Sequence, residues 1–301
     1  MLVSRIDLDG KGAGSPEGLV SRILKAEPSL SIPIPIEQLC RQLDISSIEY
    51  GTLDGLEGGL ITNPERESGI ILVNKTSHWF RQRFTIGHEL GHFLIPTHIP
   101  GPDNRFLCSQ ADMLLQHANE RDKRARMEVE ANRFSSLILI PPPILRPKLK
   151  GDPNLKQLTE LALEFEVSKE AMARAYSSYH HQVLAFVVTQ NEIVRRVYKH
   201  LKFPYVSIDI GRTVSNRSLV SRSASIGRGV TEITECLPDL WINVERGKTA
   251  PKLYEQVMRQ RDNFAMTMLW LEVEDDEEDF DREENLTSAQ RYKDRMDRFS
   301  R

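Results

Sequence analysis

The spacing of apolar positions changes several times along the chain. "SPEGLVSRILKAE" carries them at helical spacing, with Ser15 placed as an N-cap and Pro16 at the first helical position. "SIPIPIEQLCRQLDI" predicts a short extended proline segment, then a helix built on Ile36, Leu39, Cys40 and Leu43. "SSIEYGTL", "GGLITN" and "SGIILVN" read as three short strands, with turn residues such as Asn63-Pro64 between them. A helix follows from about His78 to Leu94, and then a loop, "PTHIPGPDNRFLCSQADM". "ANERDKRARMEVEANRFSSLILIPPP" predicts a second long helix, ended by three prolines at 141–143. "NLKQLTELALEFEVSKEAMARAYSSY" reads helix, turn, helix. From Val183 the period shortens, and "VLAFVVTQNEIVRRVYKH" predicts a hairpin turning at Gln190-Asn191. Residues 201–271 mix short strands with a helix expected around 252–262.

The pattern divides into an α+β module at 1–150, a helix-turn-helix-like segment at 151–182, a mixed α/β C-terminal domain at 183–271 and a charged tail at 272–301. A length of 301 residues accommodates this. No apolar run is long enough to span a membrane, and the first residues hold no apolar signal core. Three cysteines, widely spaced, fit a reducing cytoplasm.

Charge is uneven. Residues 272–284 hold ten acids and one arginine, a net −9, while 183–271 hold thirteen Lys/Arg against eight Asp/Glu, a net +5. Arg212, Arg217, Arg222 and Arg228 recur through a Ser-rich stretch, where nucleic acid or an acidic partner could bind. Residues 151–181 hold three Lys/Arg and five Asp/Glu, a net −2. Binding to DNA needs cations against phosphates, so this helix pair is expected to pack on the protein rather than read a groove.

The candidate chemistry lies in "RFTIGHELGHFLIP". His88 and His92 are four apart and share a helix face, giving the bite that a tetrahedral Zn²⁺ takes from two nitrogens. Glu89 sits about a third of a turn away and reads as a general base. Gly91 is read as keeping the metal side open, at a cost of about 1 kcal/mol in helix propensity. The third ligand is sought in "RMEVEANRF". Glu128 shares a face with Asn132, which could orient a ligating histidine. Glu130 turns towards Phe134. His98, His117 and Arg105 are candidates to stabilise an oxyanion, but each reads rather as solvated surface.

These pieces, in this order, resemble the ImmA/IrrE family of metallo-endopeptidases over roughly residues 20–145. The resemblance rests on "EGGLITN", "GIILVN", "RQRFTIGHELGHFLI" and "EVEANRFSSLILIP". It implies a minimal zincin-like domain: a three-stranded sheet, the HExxH helix and a helix bearing the third ligand. His88, His92 and Glu128 would be metal ligands, with Zn²⁺ or alternatively Mn²⁺, and Glu89 the base. Ser135 departs mildly from the family's usual small residue after the phenylalanine. The implied activity is cleavage of one protein regulator, a helix-turn-helix repressor or antitoxin-like partner encoded nearby, in a stress, phage or mobile-element response. The alternative is a non-proteolytic regulator that keeps the zinc fold as a scaffold and binds protein or nucleic acid through 183–271.

Overall fold

The computed structural model describes residues 14–63, 65–115, 117–119, 121–223, 229–244 and 250–272. The acidic run beyond residue 272, and Arg228, lie outside the described residues. The fold is mixed α and β, with two sheets.

Helix α1 (Pro16–Ala26) begins where the Ser15 hydroxyl accepts from the Gly18 amide at 3.1 Å, and it buries Leu19, Val20 and Ile23. Helix α2 (Ile36–Gln42) leads into β1 (Ile45–Gly51), β2 (Gly58–Thr62) and β3 (Gly69–Asn74). Helix α3 (Trp79–Leu94) follows, then β4 (Arg105–Cys108), α4 (Lys123–Leu139) and the short α5 (Pro142–Leu145). The first sheet runs in the order β1-β3-β2-β4, with β1 parallel to β3 and the other pairs antiparallel.

The sheet therefore has four strands, not the three expected. The fourth lies in the segment read as a loop. "RFLC" alternates exposed Arg105 and Leu107 with buried Phe106 and Cys108, but four residues are too few to show a period. Pairing with β2 makes it a strand, with Cys108 opposite Gly58 and Phe106 opposite Leu60.

Helices α6 (Leu155–Glu164) and α7 (Lys169–Tyr179) form the expected pair. They bury Leu155, Leu158, Leu161, Met172, Ala173 and Tyr176 against the protein. Glu170 on α7 receives hydrogen bonds from Arg196 at 2.8 Å and Tyr198 at 2.5 Å. The pair thus packs, as its net charge suggested.

The C-terminal part contains β5 (Val183–Gln190), β6 (Ile193–Lys199), α8 (Leu219–Arg222), β7 (Thr234–Cys236), β8 (Leu253–Arg259) and β9 (Phe264–Leu271). Their sheet runs β6-β5-β9-β8-β7 and is antiparallel throughout. Alternate residues of β5 enter two different cores. Leu184, Phe186 and Val188 join the core that includes α6 and α7, while Val183, Ala185 and Val187 join Phe203, Val206 and Trp241. The helix expected around 252–262 is instead strand β8. Leu253 and Val257, four apart, share a face in a strand as well as in a helix, so their spacing did not discriminate. Both sides of β8 are covered, which blurs the alternation further.

Candidate metal centre

Helices α3 and α4 run antiparallel and approach closely because α3 has glycine where they touch. A Cβ on Gly87 would lie 2.6 Å from the Ser135 hydroxyl, and one on Gly91 would lie 3.2 Å from the Ala131 Cα. Gly91 therefore faces α4 rather than keeping a metal side open, which corrects the sequence reading. Ser135 fits the crossing by donating to the Phe84 carbonyl at 2.7 Å. The C-terminal end of α3 is held by Arg66, which donates to the Ile95 and His92 carbonyls at 2.8 and 3.3 Å.

This crossing brings His88, His92 and Glu128 together. The two Nε2 atoms are 3.0 Å apart, and Glu128 Oε2 lies 3.2 Å from that of His88 and 3.4 Å from that of His92. All three side chains are buried.

The hydrogen bonds behind each imidazole fix its tautomer. Asn132 donates from its amide nitrogen to the Asp112 and Leu115 carbonyls, at 2.9 and 3.0 Å. Its Oδ1 is therefore the atom facing His88 Nδ1 at 2.9 Å, and that nitrogen must carry a hydrogen. Behind His92 stands His98, Nδ1 to Nδ1 at 2.9 Å, and His98 Nε2 meets the Glu130 carboxylate at 3.0 Å. A carboxylate only accepts, so neutral His98 donates from Nε2 and accepts at Nδ1 from His92. When both rings are neutral, their Nε2 atoms are lone pairs facing each other and a carboxylate oxygen. Such a set could hold a cation between its members.

Its dimensions suit a divalent ion. A tetrahedral centre with bonds of about 2.0–2.1 Å has edges of about 3.3 Å, close to the separations of 3.0, 3.2 and 3.4 Å. The three groups also shift one another's ionisation. Burial would depress His88, but its hydrogen bond to Glu128 and the nearby carboxylate charges raise it. Burial drives His92 down to about 3. Burial opposes ionisation of Glu128, yet hydrogen bonds from His88 and His92 hold its carboxyl well below the usual range.

Glu89 is 0% exposed, and neither of its carboxylate oxygens has a hydrogen-bond partner. Burial pushes its carboxyl up to about 7, against the opposing charge of His88. A Cβ on Gly58 would meet its Oε1 at 3.1 Å and the Leu72 carbonyl at 2.9 Å, so glycine is what lets β2 pass this close.

Two residues escaped the sequence reading. His98 is buried, not surface, and supports His92. Cys108 joins His88, His92 and Glu128 in a group whose donor atoms all lie within 4.8 Å of one another. The signal for both was non-local, since neither belongs to the two motif helices. Glu130 is part of the His98 link rather than directed to the ligand set. His117 and Arg105 are exposed, as expected. In the basic stretch Arg212 and Arg217 are exposed, while Arg222 lies 3.7 Å from buried Glu255. Among the described residues, no helix is long and apolar enough to cross a membrane.

The chain is similar to known proteins in fold and over part of its sequence. A solved structure described as a Mycobacterium tuberculosis transcriptional regulator is similar at 12% identity and a TM-score of 0.51, over 85% of this chain and 75% of that one. At that identity the likeness concerns the fold alone. No curated protein sequence matches the chain. The model of the IrrE N-terminal-like domain, Peptidase_M78, matches residues 54–177, a stretch that includes α3, β4 and α4. Residues 54–177 of this chain therefore resemble the IrrE N-terminal-like domain of the Peptidase_M78 family.

Proposed function

We propose that this chain is a metal-dependent endopeptidase of zincin-like architecture that cuts a protein regulator. The observation that carries the reading is the convergence of three lone-pair donors beside a buried carboxylate with no hydrogen-bond partner. His88, His92 and Glu128 would hold Zn²⁺, with Mn²⁺ as the alternative. The bound ion would supply Lewis acidity to the scissile carbonyl and the attacking water.

Glu89 does the proton work. Its carboxylate takes a proton from water as the new C–O bond forms, then delivers it to the amine as the C–N bond breaks. Burial raises the proton affinity of this carboxyl, which suits a group that must both accept and return a proton. Asn132 and the His98–Glu130 pair keep the two imidazoles aimed. Strand β4 is at an edge of its sheet. Its free side offers backbone groups to which an extended peptide can pair.

The substrate class is a helix-turn-helix repressor or antitoxin-like protein encoded nearby, in a cytoplasmic stress, phage or mobile-element response. The catalytic module would occupy 1–150, followed by the helix pair at 151–182, a regulatory domain at 183–271 and the tail at 272–301. The test is incubation of the full chain with the repressor of the neighbouring gene, with added Zn²⁺ or with a chelator. Metal-dependent appearance of two defined fragments is expected. A partner left intact, but retained by 183–271 alone, would instead support the scaffold alternative.

A further inference from the structure

The ligand set has a fourth candidate that the reaction does not use. Cys108 is the last residue of β4 and is wholly buried. Its backbone is held opposite Gly58, and its carbonyl accepts from the Glu57 amide at 2.9 Å. Strand alternation points Cys108 and Phe106 inward together, and the Phe106 ring stacks on His92 at 4.6 Å between centroids. The Cys108 Sγ consequently lies within 4.8 Å of the donor atoms of His88, His92 and Glu128. Cys40 and Cys236 are buried in hydrophobic cores and are not among the grouped donors.

Packing alone does not explain a thiol here. Its sulfur stands among ligand atoms, beside the fully buried Glu89 carboxylate. A catalytic centre keeps three protein ligands and one position open, whereas a closed centre fills all four from the protein. Sulfur is a preferred donor to zinc.

We propose that Cys108 is a fourth protein ligand, which closes the metal centre and holds the enzyme latent. This rests on the metal-centre reading above. On ligation the S–H bond breaks, the sulfur lone pair goes to the metal, and the proton is released to solvent. The open position is then filled. Release of the sulfur restores it, so activation becomes a matter of drawing β4 and its thiol off the centre. Strand β4 is suited to that role, being a four-residue edge strand paired on one side only.

The test is cobalt substitution of the full chain, reading metal content and absorption for wild type, Cys108→Ala and Cys108→Ser. Wild type should bind one Co²⁺ and show a thiolate-to-cobalt charge-transfer band in the near ultraviolet. Both variants should keep the cobalt and lose that band. Cobalt bound by wild type without the band overturns the proposal even if neither variant folds. A band that persists in Cys108→Ala assigns it to another thiol and also overturns the proposal. A wild-type chain that binds no cobalt overturns the metal centre itself, an outcome that metal content separates from the other two.

Discussion

His98 Nδ1 lies 2.9 Å from His92 Nδ1, although the two residues are separated by the end of a helix and a turn. The turn is closed by the His98 amide donating to the Ile95 carbonyl at 3.1 Å. His98 thereby reaches back under α3 and links His92 to Glu130. Replacing His98 by Leu removes the acceptor that keeps the His92 Nε2 lone pair aimed at the metal. Loss of such support costs about 10–100-fold in metal affinity or activity. Chelator competition on purified His98→Leu should show a loss of that size. Affinity equal to wild type would mean that His92 is oriented without it.

Glu89→Gln should leave metal content unchanged and abolish cleavage. The amide keeps the shape but cannot accept the proton. Proton transfer of this kind contributes about 10²–10⁴-fold, so fragment production should fall at least that far. A variant that cuts at near wild-type rate would show that another group acts as the base.

The α3–α4 crossing predicts a coupled pair. Gly87→Val places a branched side chain against Ser135, where even a Cβ would come within 2.6 Å of the hydroxyl. Overpacking of this type costs about 1–3 kcal/mol, readable as a lower denaturation midpoint. Ser135→Gly should recover part of the loss in the double variant, because it opens the contact. Additive losses in the two variants would place the strain elsewhere.

His180 predicts a pH dependence of stability. Its ring stacks on Tyr176, its Nδ1 accepts from the Gln182 amide at 3.0 Å, and burial lowers it to about 4, with smaller contributions from His181 and His200. The folded state keeps it neutral while an unfolded chain protonates it below about 6.5. Stability from this site is therefore complete above about 6.5 and is lost as pH falls from there towards 4. His180→Asn keeps an acceptor but does not titrate. Between those pH values its stability should fall less steeply than that of wild type. Parallel curves would remove His180 from the acid response.

What could be read from sequence was what depends on short spacing. The i, i+4 pair His88 and His92 share a helix face whatever surrounds them, and Glu128 with Asn132 follow the same rule on α4. The strands β1 to β3 and the hairpin of β5 and β6 were visible because turn residues bound each run. Other features depended on partners distant in sequence. Cys108 reaches the ligand group only because β4 pairs with β2, about fifty residues earlier. His98 is recruited by a turn whose closure no periodicity announces. Gly91 was read for the metal when its empty side serves Ala131 and Phe134. For β8, coverage on both faces hid the alternation that distinguishes a strand.

Glu128 and Glu130, two residues apart, should respond oppositely to truncation and to metal removal. Glu128 Oε2 lies 3.2 Å from His88 Nε2 and 3.4 Å from His92 Nε2, while Glu130 Oε2 bonds to His98 and its side chain is 44% exposed. A ligand that binds only the folded state stabilises it by RT ln(1 + [L]/Kd), about 2.7 kcal/mol at a hundredfold excess over Kd. Wild type should therefore melt at a lower temperature in chelator than in Zn²⁺. Glu128→Ala should lose that difference, because its two remaining imidazoles hold the ion far more weakly. Glu130→Ala should keep most of it, since a water can replace a half-exposed carboxylate at His98. Metal content and thermal melts on the same preparations separate loss of binding from loss of fold. A chelator-sensitive melt retained by Glu128→Ala, and lost by Glu130→Ala, would reverse the two roles.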